Sequence, residues 1–264
     1  MILRGNVFSK SLQMETGINV IIPNNFSEDN EYNIAYVLHG LCANSGNWAD
    51  NSMLPVYAND YNTIFVMPEV ARSFYSDMKF GLKYFSYITN ELPTICKAVF
   101  NISSKRENTA IIGGSMGGYG ALKSALSKPE QYGYCCTFAS PCLFLKEGLD
   151  YQRQNGDTAE FKAIYGEQLP IDFEAIFGKE LVWNENDDVL ELAKNLSNHK
   201  IKPKIYCACG TNDYLLEDNK RYNKELNKLG FDIRYEEWEA SHDFYFFDEA
   251  LKRALEFLYK NNDK

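Results

Sequence analysis

Seven apolar runs punctuate the chain at intervals that suit strands: Ile18 to Ile22, Ile34 to Leu38, Thr63 to Met67, Thr109 to Ile112, Gly133 to Phe138, Pro203 to Ala208 and Phe231 to Trp238. Helix-forming segments lie between most of the later runs, and that alternation predicts a mostly parallel sheet with helices on both faces. The first two runs follow each other without a helix, so the sheet is expected to begin with an antiparallel piece. From Phe80 to Phe100 the residues Leu82, Phe85, Ile88, Leu92, Ile95 and Val99 recur at helical spacing and predict an amphipathic helix packed on the sheet. Pro93 lacks an amide proton and should kink or split that helix. Between Pro141 and Ile201 the pattern weakens, with aromatic, acidic and glycine residues mixed among short helical runs. This segment is expected to be an insertion beyond the strand ends. A cap or lid over a pocket and a set of peripheral helices closing the fold both remain open.

Composition narrows the class without naming a substrate. The 264 residues suit one α/β domain spanning 1–264, with 141–201 as its insertion. A hydrophobic share of 45% and a charged share of 24% describe a chain able to bury a large core. The net charge of −9 argues against a nucleic-acid partner or an anionic membrane surface, because both require clustered Lys and Arg. Seven cysteines, an odd number set in strand-like runs, read as small buried hydrophobes rather than as a disulfide framework, and no spacing suits a metal site. With no signal-like N-terminus and no apolar stretch of about 20 residues, a cytoplasmic protein is expected.

Candidate chemistry centres on Gly113-Gly114-Ser115-Met116-Gly117-Gly118, placed between an apolar strand and a helix-forming run. A serine hydroxyl is a weak nucleophile, so a catalytic one needs a sharp, exposed strand-to-helix turn and a neighbouring base. A glycine-rich connection that carries a serine incidentally would look the same locally. Partners further along the chain decide between the two. Such an elbow predicts an acid and then a histidine, each just after a strand. Of three histidines, His39 precedes the elbow and His199 lies ahead of a strand, which leaves His242, behind Phe231 to Trp238 and before the last helix. Asp213 turns off the end of the strand through Cys209, whereas Asp187 and Asp188 lie in an acidic loop, Asp218 suits a helix start, and Asp243 adjoins His242 too closely to face it. The oxyanion donors are expected to be the backbone amides of Met116 and, in the loop after Leu38, Leu41. His39 should brace that loop, while Trp48, together with Asn44 and Asn47, is a candidate for the pocket wall as well as for packing.

With those residues assigned, the sequence resembles the esterase D group of α/β-hydrolases, and most closely the tributyrin esterases of Gram-positive bacteria. The similarity covers nearly the whole chain and rests on His39-Gly40-Leu41, Ser73 to Asp77, Ser104-Lys105-Arg106, Ser115 to Gly120, Cys209 to Asp213 and Ser241-His242. It implies an α/β-hydrolase fold, a cofactor-free carboxylesterase acting on short acyl esters through a Ser115, Asp213 and His242 triad, and a homo-oligomer, dimer or tetramer. It also implies that Tyr75 and Asp77 lie near the active site, as substrate contacts or as parts of a packed turn. Feruloyl and acetylxylan esterases belong to the same group, so a glycan-linked acetyl or feruloyl ester is an alternative substrate. S-formylglutathione hydrolases usually carry His-Gly-Leu-Thr-Cys where this chain has His39-Gly40-Leu41-Cys42-Ala43, which weakens a thioester reading. An acyltransferase and a non-catalytic binding protein complete the alternatives, although a degenerate copy would be expected to have lost one of the three triad residues.

Overall fold

A computed structural model of the chain describes residues 1–27, 31–100, 102 and 105–259, apart from the side chains of 161, 164 and 165; Ser104 lies outside the described residues. Eight strands form one sheet: β1 (Ile2–Ser9), β2 (Met14–Ile21), β3 (Asn33–Leu38), β4 (Thr63–Pro68), β5 (Thr109–Gly114), β6 (Tyr134–Phe138), β7 (Lys204–Gly210) and β8 (Ile233–Trp238). Their spatial order is β1-β2-β4-β3-β5-β6-β7-β8. β2 runs antiparallel to both β1 and β4, and every later pairing is parallel. The antiparallel start is therefore present, but β2 makes it with β1 and β4, and β3 joins in parallel between β4 and β5. β1 escapes the hydrophobic pattern because it is the outermost strand, largely exposed, with Arg4, Gly5 and Asn6 at its centre.

The central strands are buried on both faces, and their side chains alternate between two cores. Ile34, Tyr36, Leu38 and Ile111 face one side, while Ala35, Val37, Ala110 and Ile112 face the other. On the second side lie α1 (Asn47–Asn51), α2 (Leu54–Asp60) and α11 (Phe244–Tyr259), whose Phe246, Leu251 and Leu255 enter that core. The first side is covered by α3 (Tyr84–Ser86), α4 (Leu92–Phe100), α5 (Met116–Ser127), α9 (Val189–Leu196) and α10 (Leu216–Lys228). The helix expected from Phe80 begins only at Tyr84. A π-helical turn, Tyr87–Glu91, then joins α3 to α4, with Leu92 N–H reaching back to Tyr87 O. Pro93 cannot supply its bond to the preceding turn, and the wider π turn redistributes that defect without breaking the helix.

Between Pro141 and Ile201 stand α6 (Phe144–Asn155), α7 (Ala159–Tyr165) and α8 (Gln168–Phe177), followed by a short 3-10 turn, Glu185–Asp187, and α9. Polar hooks fasten this segment to α5 and α10, which pack on the sheet. Burial pulls the Lys123 ammonium below its usual value, while Asp187 holds its charge: Lys123 is paired with Asp187 and donates to Ser76 Oγ at 2.8 Å. Tyr119 OH donates to Asp187 O at 2.6 Å, and Tyr222 OH to Val189 O at 3.0 Å. Asp218, on α10, caps a helix other than its own, accepting from Leu143 and Phe144 N–H at 3.1 Å each. Burial pushes its carboxyl up to about 6. Asp188 caps α9 through Leu190 and Glu191 N–H. The acidic loop is thus a set of anchors, with Asp187 on Lys123 and Asp188 at a helix end.

Candidate active site

Three parallel strands end together at the site, with Leu38 opposite Gly113 and Gly114 opposite Phe138. Beyond them the chain turns sharply at Ser115, whose φ of 56° and ψ of −126° lie where a non-glycine residue is strained. Ser115 N–H donates to Phe138 O at 2.8 Å, and its carbonyl accepts from Gly118 N–H at 2.9 Å, so both neighbours hold the strained residue. Close approach explains the glycines. A Cβ on Gly113 would collide with the Gly117 backbone, and one on Gly117 with Leu38 O and the His39 carbonyl. α5 therefore starts in contact with β3 and β5.

The loop after β3 lies against this turn, since a Cβ on Gly40 would sit 3.6 Å from Ser115 Cβ. His39, 1% exposed, donates from Nδ1 to Gly40 O at 2.8 Å and accepts Val70 N–H at Nε2, 3.2 Å away. Glu69 Oε1 also lies 3.3 Å from Nε2, and Ala43 N–H adds a turn onto Gly40 O at 3.2 Å. Tyr75 OH donates to His39 O at 2.9 Å. His39 thus braces the loop, as expected.

On the far side of the elbow, the loops that follow β7 and β8 are clamped together. Thr211 N–H donates to Trp238 O at 2.8 Å and Asn212 N–H to Ala240 O at 3.0 Å. A Cβ on Gly210 would strike Ala240 O, so the two loops approach closely. Asp213 accepts Leu215 N–H at Oδ1, 2.9 Å, and meets His242 Nδ1 at Oδ2, 2.7 Å. The carboxylate side chain is 0% exposed and the imidazole 24%, so the pair is shielded behind and open in front. Asp243 instead caps α11 through Phe246 N–H. Phe247 joins the two halves of the site: its ring lies edge-on to His242, centroids 5.1 Å apart, and packs against the Cα of Gly114, where a Cβ would come within 3.0 Å.

A chamber of about 520 Å³ opens at Ser115. Leu41, Met116, Phe74, Tyr214 and Leu215 form its sheet-side wall; Phe144, Leu145 and Gly148 of α6 and Leu169 and Phe173 of α8 form the other. Phe144 and Phe173, two of the aromatic residues after Pro141, thus reach the wall. Phe177 packs behind Phe173, Tyr151 is exposed, and the side chains of Phe161 and Tyr165 lie outside the described residues. Tyr214 and Gly148 gave no local signal, although Tyr214 directly follows Asp213, while Phe74 lies within the Ser73 to Asp77 segment that carried the resemblance.

The three candidate substrate contacts are placed elsewhere. Trp48 is 3% exposed, donates from Nε1 to Leu38 O at 2.9 Å and packs edge-on against Phe138, Phe244 and Phe247 beneath the elbow. Tyr75 is fully buried with its hydroxyl engaged by His39 O, and its ring fills the space above Gly120. Asp77 accepts from Ser86 N–H at 2.9 Å and Ser86 Oγ at 2.6 Å at the start of α3. Packing and capping account for the place of all three. Asn44 likewise closes its own turn onto Gly46 N–H. Among the described residues no group of three or more His, Cys, Asp or Glu could hold a metal ion, and no helix is long and apolar enough to cross a membrane.

Known proteins resemble this chain in sequence and in fold. An acetyl esterase of Caldicellulosiruptor saccharolyticus is 30% identical, with 99% of each chain aligned. The substrate-bound structure of fluorophosphonate-binding serine hydrolase F of Staphylococcus aureus superposes with a TM-score of 0.81 at 25% identity, covering 98% of both chains. A ferulic acid esterase superposes with a TM-score of 0.77 at 19% identity over 98% of this chain and 97% of that one, a likeness of fold. The sheet order, the elbow and these neighbours make the fold that of the α/β-hydrolases. Matched from residue 9 to residue 258 by the Esterase family ("Putative esterase"), the chain belongs to that family.

Proposed function

We propose that the protein, a serine esterase by family, hydrolyses carboxylic esters by a triad of Ser115, Asp213 and His242. The observation that carries this reading is the Asp213 to His242 contact of 2.7 Å beside a serine held in a strained elbow. Asp213 keeps the imidazole proton on Nδ1, which leaves Nε2 free to accept the Ser115 proton as Oγ attacks the ester carbonyl. The Leu41 and Met116 amides stabilise the oxyanion, each such donor being worth about 3 kcal/mol. His242 then protonates the departing alcohol and later activates the water that releases the acid from Ser115. Ser115→Ala should lower kcat on p-nitrophenyl acetate by about 10⁴-fold or more and abolish fluorophosphonate labelling; undiminished hydrolysis by the folded variant would refute the triad.

Simple aliphatic acyl esters, acetyl among them, are the favoured substrates, supported by the acetyl esterase relative and by an apolar chamber. A feruloyl or acetyl group on a glycan is the second reading, carried by the fold shared with the ferulic acid esterase. The helices between Pro141 and Ile201 act as a cap, a role supported by the five wall residues of α6 and α8. Six buried free cysteines suit a reducing cytoplasm. Homo-oligomerisation is supported by the exposed apolar edge at Ile2, Leu3 and Phe8 of β1.

A further inference from the structure

Gly148 stands inside α6, on the face that carries Phe144 and Leu145, and it forms part of the chamber wall. Its presence is not explained by the fold. A Cβ built there meets no atom within 4 Å, and the backbone is helical, so no turn or close approach excludes a side chain. Glycine in a helix interior is among the least favourable choices, so α6 would be steadier with alanine at this position. What the missing side chain leaves is room in the chamber beside Ser115.

That room exceeds the needs of a short acyl group. At roughly 30 Å³ per heavy-atom group, butyryl would occupy about 150 Å³ and octanoyl about 270 Å³, against a chamber of about 520 Å³. His242 must reach the leaving oxygen, and it borders the chamber through Tyr214, whose ring centroid lies 5.1 Å from its own. The α6 and α8 side of the chamber is then the place for the acyl chain, with the alcohol leaving beside His242. Its side chains are leucines and phenylalanines with Met116 and Pro141; hydroxyls come from Ser115 and Tyr214. A sugar or phenolic arm would leave its own hydroxyls short of partners there, while a saturated chain needs none.

Resting on the serine esterase reading, we propose that Gly148 is a specificity-determining residue. Its missing side chain keeps open an acyl site for medium-length aliphatic chains of about six to ten carbons, well beyond butyryl. Each methylene withdrawn from water should raise kcat/KM about fourfold until the chamber is filled.

The test is a p-nitrophenyl ester series from acetate to decanoate, with methyl ferulate alongside, on the parent protein and on Gly148→Ala and Gly148→Leu. The parent is expected to prefer octanoate to acetate. In Gly148→Leu the octanoate to acetate ratio of kcat/KM should fall at least tenfold, and in Gly148→Ala the optimum should move one or two carbons shorter while the melting temperature rises. An unchanged ratio in Gly148→Leu that still labels with fluorophosphonate, or an unchanged optimum in Gly148→Ala should the leucine variant not fold, would overturn the role of Gly148. Preference of the parent for methyl ferulate would overturn the aliphatic assignment. Failure of the underlying reading is distinguishable, since Ser115→Ala would then retain the parent's activity on the same series.

Discussion

The elbow and the segment after Pro141 meet at one chamber, yet they are held by different forces. Around Ser115 the constraint is backbone against backbone: Gly113 on Gly117, Gly117 on Leu38 and His39, Gly210 on Ala240. At those three contacts no side chain can relax to absorb a change. The 141–201 segment instead hangs on side-chain hooks, namely Lys123 with Asp187, Asp218 with the start of α6, and Arg72 with Asp172 at 2.7 Å. Catalytic geometry needs tolerances of tenths of an ångström, whereas a pocket wall can be remodelled residue by residue. The two modes of attachment keep the chemistry fixed while leaving the acyl site open to change.

The difference can be broken most severely at Gly117. Gly117→Ala places a methyl into the Leu38 and His39 carbonyls, and it should cost about 3 kcal/mol or more, since overpacking against rigid neighbours exceeds the usual range. Loss of soluble protein, or a melting temperature lowered by about 6–12 °C, is expected in calorimetry; a tolerated alanine would mean that the elbow has slack. Lys123→Met strips the partner from Asp187 and should cost about 3 kcal/mol, as broken buried pairs do. The double variant Lys123→Met/Asp187→Asn should recover most of that loss in urea titrations. Recovery would show a hook that works by charge pairing; no recovery would assign the effect to shape.

Asp218 gives the smallest and most specific effect. Its folded value of about 6 lies above the unfolded value of about 4, so its stabilisation is complete below pH 4 and is lost as pH rises through 6. The groups facing it are Arg221 on its own helix, the Leu143 and Phe144 amides, and the thiols of Cys142 and Cys209. Asp218→Asn keeps an acceptor for α6 without the charge. Between pH 4 and pH 7.5 the stability difference should move in favour of the variant by about 2–3 kcal/mol, measured by urea unfolding at each pH. A difference that does not vary with pH would remove Asp218 as a titrating anchor.

The same contrast explains what could be read from the chain alone. Apolar runs located the six inner strands because they are largely buried, and the edge strand β8 because Ile233, Tyr235 and Trp238 still pack on the cores; the proposed order of Ser115, Asp213 and His242 follows from strands that deliver each residue at the same sheet edge. β1 was illegible because an exposed outer strand needs no apolar alternation. The hooks were illegible for another reason. Nothing near Lys123 marks it as buried, and Asp187, which neutralises it, lies 64 residues away. Asp77, beside the strained Phe74 and Tyr75, looked functional, yet its carboxylate serves the start of α3. Gly148 carried no signal at all, because a glycine kept for the space it leaves resembles any other until the cavity beside it is seen.

The ring of Phe247, lodged between Gly114 and His242, has a bearing on how the chain becomes an enzyme. The proposed nucleophile, acid and base are separated along the chain, and the proposed base is followed at once by the helix that carries this ring. Under the proposed chemistry, a refolding chain could complete β1 to β7, close its larger core and still be inert until α11 docks. Recovery of esterase activity would then time the last docking event, while far-ultraviolet dichroism would time the earlier assembly of the sheet.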